Sequence, residues 1–226
     1  MLHLAKLCKE GKLHDVRAAI ARGENINESC DTHITPLIGA VMGKHTSIVR
    51  LLLDQPELDV NAKLGMTPLQ FAIAVAKDNS EPLRLLLADD RVDVNGEDYA
   101  GHTALQIAIA EVVRSEDNNM NTIAVKLLLA NSKVDPNIVD RMLRLDSLGF
   151  AVTSDLPEVV RLLLANPRLK TVNQVDHKGM TPVMSAICGN RVKSLHVLAS
   201  HPSVDLDAGL PVDQMPDARC LEDVAR

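Results

Sequence analysis

The phrase Asp-Val-Asn ends at Asn61 and again at Asn95, 34 residues later, and nearly the same string of residues leads into each copy. The fuller copy runs from Gly65 to Asn95. It comprises Gly65-Met66-Thr67-Pro68-Leu69, an apolar run to Ala76, Leu85-Leu86-Leu87, and Asp93-Val94-Asn95. Thr67 offers a side-chain oxygen to cap a helix, and Pro68 suits the first helical position, where its missing N–H costs no bond. Leu69, Ala72, Ile73 and Ala76 recur at helical spacing. After a polar break, Leu83 to Leu87 predicts a second short helix, and Asp-Val-Asn is a turn former. The unit reads as helix, tight turn, helix and hairpin-like loop. Neither helix buries its apolar face alone, so consecutive units must stack.

Three further copies lie in register. Thr35-Pro36-Leu37 leads through Ala40 and Leu51-Leu52-Leu53 to Asp59-Val60-Asn61. Gly101-His102-Thr103-Ala104-Leu105 leads through Ala108 and Leu127-Leu128-Leu129 to Asp135-Pro136-Asn137. Gly179-Met180-Thr181-Pro182 leads through Ala186 to Val197-Leu198. On these residues the chain resembles the ankyrin-repeat family, whose period is about 33 residues around a T-P-L-H-x-A core. The resemblance implies an all-α ankyrin-repeat solenoid of about six helix-turn-helix units with hairpin-like loops. One elongated domain over 1–226 is expected, with units at about 1–27, 28–61, 62–95, 96–137, 138–173 and 174–207. Residues 208–226 read as a C-terminal cap or a truncated unit.

The departures from the pattern carry their own expectations. Gly39 and Gly43 weaken the first helix of the second unit by propensity. Extra residues between Ala110 and Leu127, including Ser115-Glu116-Asp117-Asn118-Asn119, predict a solvated loop, because surface loops accept length cheaply. In the fifth unit Asp146-Ser147-Leu148 replaces Thr-Pro-Leu, and Asp is itself a good N-cap.

Composition narrows the function classes. Hydrophobic residues make up 46% of the chain and aromatics 1%, so the core must be built from Leu, Ile, Val and Ala. A net charge of −6 argues against a nucleic-acid partner, which needs a basic face. No apolar run approaches the roughly 20 residues of a membrane helix. Cys8, Cys30, Cys188 and Cys220 show no paired spacing, which predicts free thiols in a reducing compartment. The cytoplasm is therefore expected, the nucleus remaining open, and a monomer. The Asn27-Glu28-Ser29 glycosylation sequon would then be idle. No catalytic, cofactor or metal motif is found. Cys30 and His33 have the spacing of half a zinc site, but no second pair follows.

What remains is surface. The resemblance implies that the first helices and loop tips line one concave face to which protein partners bind. The residue between the Leu and the Ala of each first helix is then expected to face that groove: Gly39, Phe71, Ile107, Phe150 and Ser185. Both phenylalanines of the chain fall in this row, and the single tyrosine, Tyr99, falls at a loop tip near Lys63-Leu64 and His177-Lys178. The candidate protein-binding set is Met42, Lys63, Leu64, Phe71, Val75, Tyr99, Ile107, Glu111, Phe150, His177 and Lys178. The competing reading is that the row simply packs against neighbouring helices. The resemblance also implies sites for an asparaginyl hydroxylase. Leu53 through Asp59-Val60-Asn61 and Leu87 through Asp93-Val94-Asn95 fit its preferred context, with Asn61 favoured over Asn95 because its unit carries the two glycines.

The expected function is non-enzymatic protein recognition as an adaptor, targeting arm or inhibitor. The alternative is the targeting region of a larger enzyme whose catalytic domain lies outside this chain. A third class, a stand-alone enzyme or small-ligand binder, would require a deep pocket with convergent polar groups.

Overall fold

The computed structural model describes residues 4–30, 33–77, 79–114, 122–141 and 143–206. The helices in these segments are α1 (Leu4–Glu10), α2 (Leu13–Ala21), α3 (Pro36–Met42), α4 (Thr46–Leu53), α5 (Pro68–Val75) and α6 (Glu81–Ala88), then α7 (Ala104–Arg114), α8 (Thr122–Ala130), α9 (Ser147–Thr153), α10 (Pro157–Leu164), α11 (Pro182–Cys188) and α12 (Val192–Ala199). Among the described residues there is no strand, only an isolated bridge between Leu64 and Met66. The chain divides into two compact units, Met1–Ile107 and Ala108–Arg226. In the first, α1 packs on α3 and α3 on α5 in one layer, while α2 packs on α4 and α4 on α6 in a second. In the second unit, α9 packs on α11, and α10 lies against both α8 and α12.

Each first helix starts as its sequence dictates. The Oγ atoms of Thr35, Thr67 and Thr181 accept from the backbone N–H three residues on, at 3.3 Å. Asp146 does the same for Gly149 at 2.7 Å, so the degenerate repeat keeps its cap. Gln70, at the histidine position of the T-P-L-H core, closes a capping box by accepting from Thr67 N–H at 2.7 Å. Its amide also donates to Gly96 O and His102 O, tying α5 to the next loop. The paired helices are then folded back by one left-handed residue: Gly11, Lys44, Asp155 or Asn190. The N–H of the following residue reaches the carbonyl five residues earlier, as from His45 to Ala40 O at 2.9 Å, which stops the helix sharply.

Between repeats, asparagine does the joining. Asn61 Nδ2 donates to Arg91 O at 2.9 Å while its Oδ1 accepts from Asp93 N–H at 2.8 Å. Asn27, Asn137 and Asn173 bridge in the same way to Glu57 O and Asp59 N–H, to Arg168 O and Lys170 N–H, and to Ser203 O and Asp205 N–H. These amides reach about 30 residues along the chain. The shared donor and acceptor of the accepting loop are backbone groups, so Lys170 replaces aspartate there without loss of the bond, and the Thr171 hydroxyl adds a second donor to Asn137 Oδ1 at 3.2 Å.

Two arginines reinforce the same joints. Arg91 donates to Leu53 O and Gln55 O at 2.7 and 2.9 Å, and Arg168 to Leu129 O and Asn131 O, both at 2.6 Å. They satisfy the orphan carbonyls at the ends of α4 and α8 and place a cation at each helix's negative pole.

Two sequence expectations change. Gly39 is buried, and a Cβ there would stand 2.7 Å from Ala5 O, while one on Gly43 would stand 2.5 Å from Lys9 O. The glycines that weaken α3 as an isolated helix are the places where the α1 backbone seats. They give no ground for treating that repeat as the looser one. In the fourth repeat part of the extra length is helical, because α7 continues past Ala110 to Arg114 with Val112 buried. Ser115 to Asn119 and the C-terminal 208–226 segment lie outside the described residues.

Leu52 and Leu86 have no exposed surface. Changing either to Ala is expected to cost about 2–5 kcal/mol in denaturant melts. Gly39→Ala raises helix propensity by up to about 1 kcal/mol but forces α1 away, at a cost of about 1–3 kcal/mol. Net destabilisation of that variant is the expected outcome; a stabilised protein would show that α1 does not seat there.

Asp146 is 2% exposed, and burial pushes its carboxyl above the ordinary 3.8, opposed by bonds from Gly149 N–H and the Thr171 hydroxyl. A raised folded pKa means that this group's stabilising contribution is complete below the unfolded value and is lost as pH rises through the folded one. Asp146→Asn keeps a cap oxygen and removes the charge. Relative to the parent, that variant should therefore fare best at neutral pH and lose its relative advantage towards acid. Paired denaturation midpoints at several pH values check the sign, and the opposite trend would make the carboxylate a net stabiliser.

Candidate protein-binding face

The first helices carry the face that sequence reasoning singled out. Four of them, α3, α5, α9 and α11, contain no Asp, Glu, Lys, Arg or His. Their solvent-touching edges are apolar or neutral. In the first unit Met42, Phe71 and Val75 are half-buried and Ala74 is exposed. In the second, Phe150, Thr153, Ile187 and Cys188 are half-buried. Their second-helix partners differ: Arg50, Arg84, Arg161 and Lys193 stand exposed on α4, α6, α10 and α12.

The expected row is only partly exposed. Gly39 lies beneath α1, and Ile107 and Ser185 are buried at 9% and 7% exposure. Ile107 therefore drops out as a groove-lining side chain, and the usable row is carried by Phe71 in one unit and Phe150 in the other. A position that faces outwards by helical phase is still covered when neighbouring groups close over it. Glu111 is half-buried and bonded at 2.6 Å to Arg114, so it presents an ion pair rather than a bare carboxylate.

The loop tips are built around aspartates. Asp98 Oδ1 accepts from Ala100 and His102 N–H, Asp176 Oδ1 from Lys178 and Met180 N–H, and the Asp140 carboxylate from Leu143 and Leu145 N–H. Adjacent tips are stitched by one backbone bond, Tyr99 N–H to Gly65 O at 3.2 Å and His177 N–H to Leu143 O at 3.1 Å. Tyr99 is 83% exposed, and Lys63 Nζ donates at 2.8 Å to Glu97 O in the same loop. Leu64 is half-buried in the bridge to Met66, whereas His177 and Lys178 are exposed. Thus Lys63, Leu64 and Tyr99 meet at one pair of tips, and His177 and Lys178 at another. Leu143, 45% exposed beside His177, escaped sequence reasoning because Asp-Arg-Met-Leu-Arg-Leu hides the loop motif. Arg144 there takes the left-handed conformation that Gly65, Gly101 and Gly179 supply elsewhere.

Other chemistry is sparse. Burial pushes the Cys8 thiol up to about 12, which leaves it inert as a nucleophile. Among the described residues no cluster of three or more His, Cys, Asp or Glu is arranged to hold a metal ion. The second unit has an open cleft of about 220 Å³ between Val112, Asp155, Pro157, Glu158 and Lys193 and a wider one of about 490 Å³ over the joint of Asn137 with Arg168 and Lys170. Asn61 has both amide atoms engaged, so a modifying enzyme would reach it only after the loop opens.

With this geometry established, the comparisons with known proteins are decisive for the fold. The family described as ankyrin repeats (3 copies) matches residues 2–98 and 111–208. The chain belongs to the ankyrin-repeat family. Mouse and human Rabankyrin-5 are each 27% identical over 176 residues, 76% of this chain. The chain spans 14% of the length of these curated relatives. Among solved structures, the ankyrin repeat domain of Bcl-3, a member of the IkappaB family, aligns with a TM-score of 0.76 at 24% identity, covering 99% of this chain and 97% of that one. EF0377, an ankyrin repeat protein, aligns with a TM-score of 0.71 at 20% identity over 88% and 96% of the two chains. Ankyrin repeats are in general protein–protein interaction modules and typically non-catalytic. No helix among the described residues is long and apolar enough to cross a membrane.

Proposed function

We propose that this chain is a non-enzymatic recognition module that binds a protein partner through the edges of its first helices and the neighbouring loop tips, as an adaptor, targeting arm or inhibitor. The observation that carries this reading is the absence of charge from α3, α5, α9 and α11, with Phe71 and Phe150 half-exposed on two of them. Charge-depleted apolar surface edged by polar groups, here Lys63 and Tyr99 in one unit and His177 and Lys178 in the other, is the anatomy of an interface core and rim. An aromatic on such a face is a natural anchor, because it desolvates a large area at small entropic cost.

The test is a partner capture with the intact chain, repeated with Phe71→Asp, Phe150→Asp, followed by affinity measurements on single variants. Phe71→Ala and Tyr99→Ala are expected to leave the melting curve nearly unchanged and to weaken binding by at least about 1–2 kcal/mol each. Full affinity in both variants would remove this face from the binding reaction.

A further inference from the structure

Of the asparagines that close successive repeats, Asn27, Asn61, Asn137 and Asn173 are followed by Glu28, Ala62, Ile138 and Gln174. Asn95 is followed by Gly96, the single Asn-Gly pair of the chain. That difference is chemical. A backbone nitrogen that attacks the preceding asparagine side chain must pass close to its own Cα substituents, and glycine has none in the way.

Local geometry favours the same step. Asn95 and Gly96 are both half-exposed, so water and base reach them. The Gly96 N–H is committed only to a long 3.4 Å contact with Asp93 O. A Cβ on Gly96 would meet Asp93 Oδ2 at 3.1 Å, so the turn is built around the missing side chain. From these observations we infer that Asn95 is a site of spontaneous deamidation, gated by opening of its loop.

The reaction balances with water alone. Gly96 N gives up its proton to solvent base and bonds to Asn95 Cγ. The Cγ–Nδ2 bond breaks, and the amide nitrogen takes a proton back from solvent and leaves as ammonia. Water then opens the resulting five-membered imide at either carbonyl, leaving aspartate or isoaspartate. Ring closure needs Asn95 Cγ to stand over Gly96 N, and opening of the loop frees the turn held by the Asn95 N–H bond to reach that geometry. The Asn95 N–H is meanwhile held by Asp93 Oδ1 at 3.1 Å, so the product carboxylate would arise two residues from a second carboxylate.

The consequence follows from the other joints. At Asn27, Asn61, Asn137 and Asn173 the amide Nδ2 donates to a carbonyl one repeat on. A carboxylate has no hydrogen to give, and isoaspartate also lengthens the backbone by one carbon. At Asn95 the same chemistry removes the amide donor and lengthens the turn in which its N–H bonds to Asp93 Oδ1, an irreversible, age-dependent change in that loop.

The experiment is peptide mapping by mass spectrometry of the folded chain over time at mildly alkaline pH. Amide should be replaced by acid at Asn95, in both aspartyl and isoaspartyl forms, while Asn61, Asn131 and Asn137 keep their amides. Urea should accelerate the change at Asn95, and Gly96→Ala should hold it to the level of Asn61. Aged protein and the Asn95→Asp variant should both unfold at lower denaturant than fresh protein. The inference is overturned if Asn95 stays intact in the folded chain while converting in urea, if Gly96→Ala deamidates at the parent rate, or if aged protein is as stable as fresh.

Discussion

The asparagine amide that bridges one loop to the next is the interaction on which the remaining architecture depends. It is a donor and an acceptor on one rigid plane, and each described joint uses both, as from Asn61 to Arg91 O and Asp93 N–H. Aspartate lacks the donor and glutamine adds a methylene that shifts the plane. Each bond contributes only about 0.5–1.5 kcal/mol net, but leaving either backbone group without a partner costs more than that. The amide thus fixes the spacing of successive loops, and the loops fix where consecutive helix pairs meet. Arg91 and Arg168 act on the same joints from the other side by filling the carbonyl ends of α4 and α8.

With spacing fixed in this way, the helices need little individual stability. Most have seven to nine residues, too short to persist alone in water. Their ends are nonetheless closed on both sides, by Thr or Asp caps at the start of first helices and by left-handed turn residues at their finish. The fifth repeat shows how the pattern survives loss of its motif. Asp146 caps where threonine is usual, the Thr171 hydroxyl bonds to its carboxylate, and Asp140 organises a loop tip in which Arg144 takes the place of glycine. The cost of that substitution is a buried carboxylate, hence its sensitivity to pH.

The face proposed for recognition is a by-product of this packing. First helices must lie close together, so α3, α5, α9 and α11 carry small and apolar residues and no charge, and their outer edges inherit that character. A surface of this kind accepts partners of varied sequence. On the proposed function, specificity is left to the loop tips, where Tyr99, Lys63, His177 and Lys178 offer aromatic, cationic and hydrogen-bonding groups.

The sequence by itself determined the repeat, its period, the helix starts and the Leu, Ile, Val and Ala core, because capping and apolar periodicity are local and recur at fixed offsets. Leu69, Ala72, Ile73, Leu52 and Leu86 are all buried as their spacing demands. Tertiary structure decided everything that depends on a neighbouring repeat. Gly39 is a poor helix residue in isolation and a contact surface for α1 in the fold. Ile107 points outwards by helical phase and is nevertheless covered. Asn61 and Arg91 look like loop residues and prove to be joints, because their partners lie 30 or more residues away. A single repeat encodes its own hydrogen-bond pattern, whereas exposure and inter-repeat bonding arise only when the next repeat is in place.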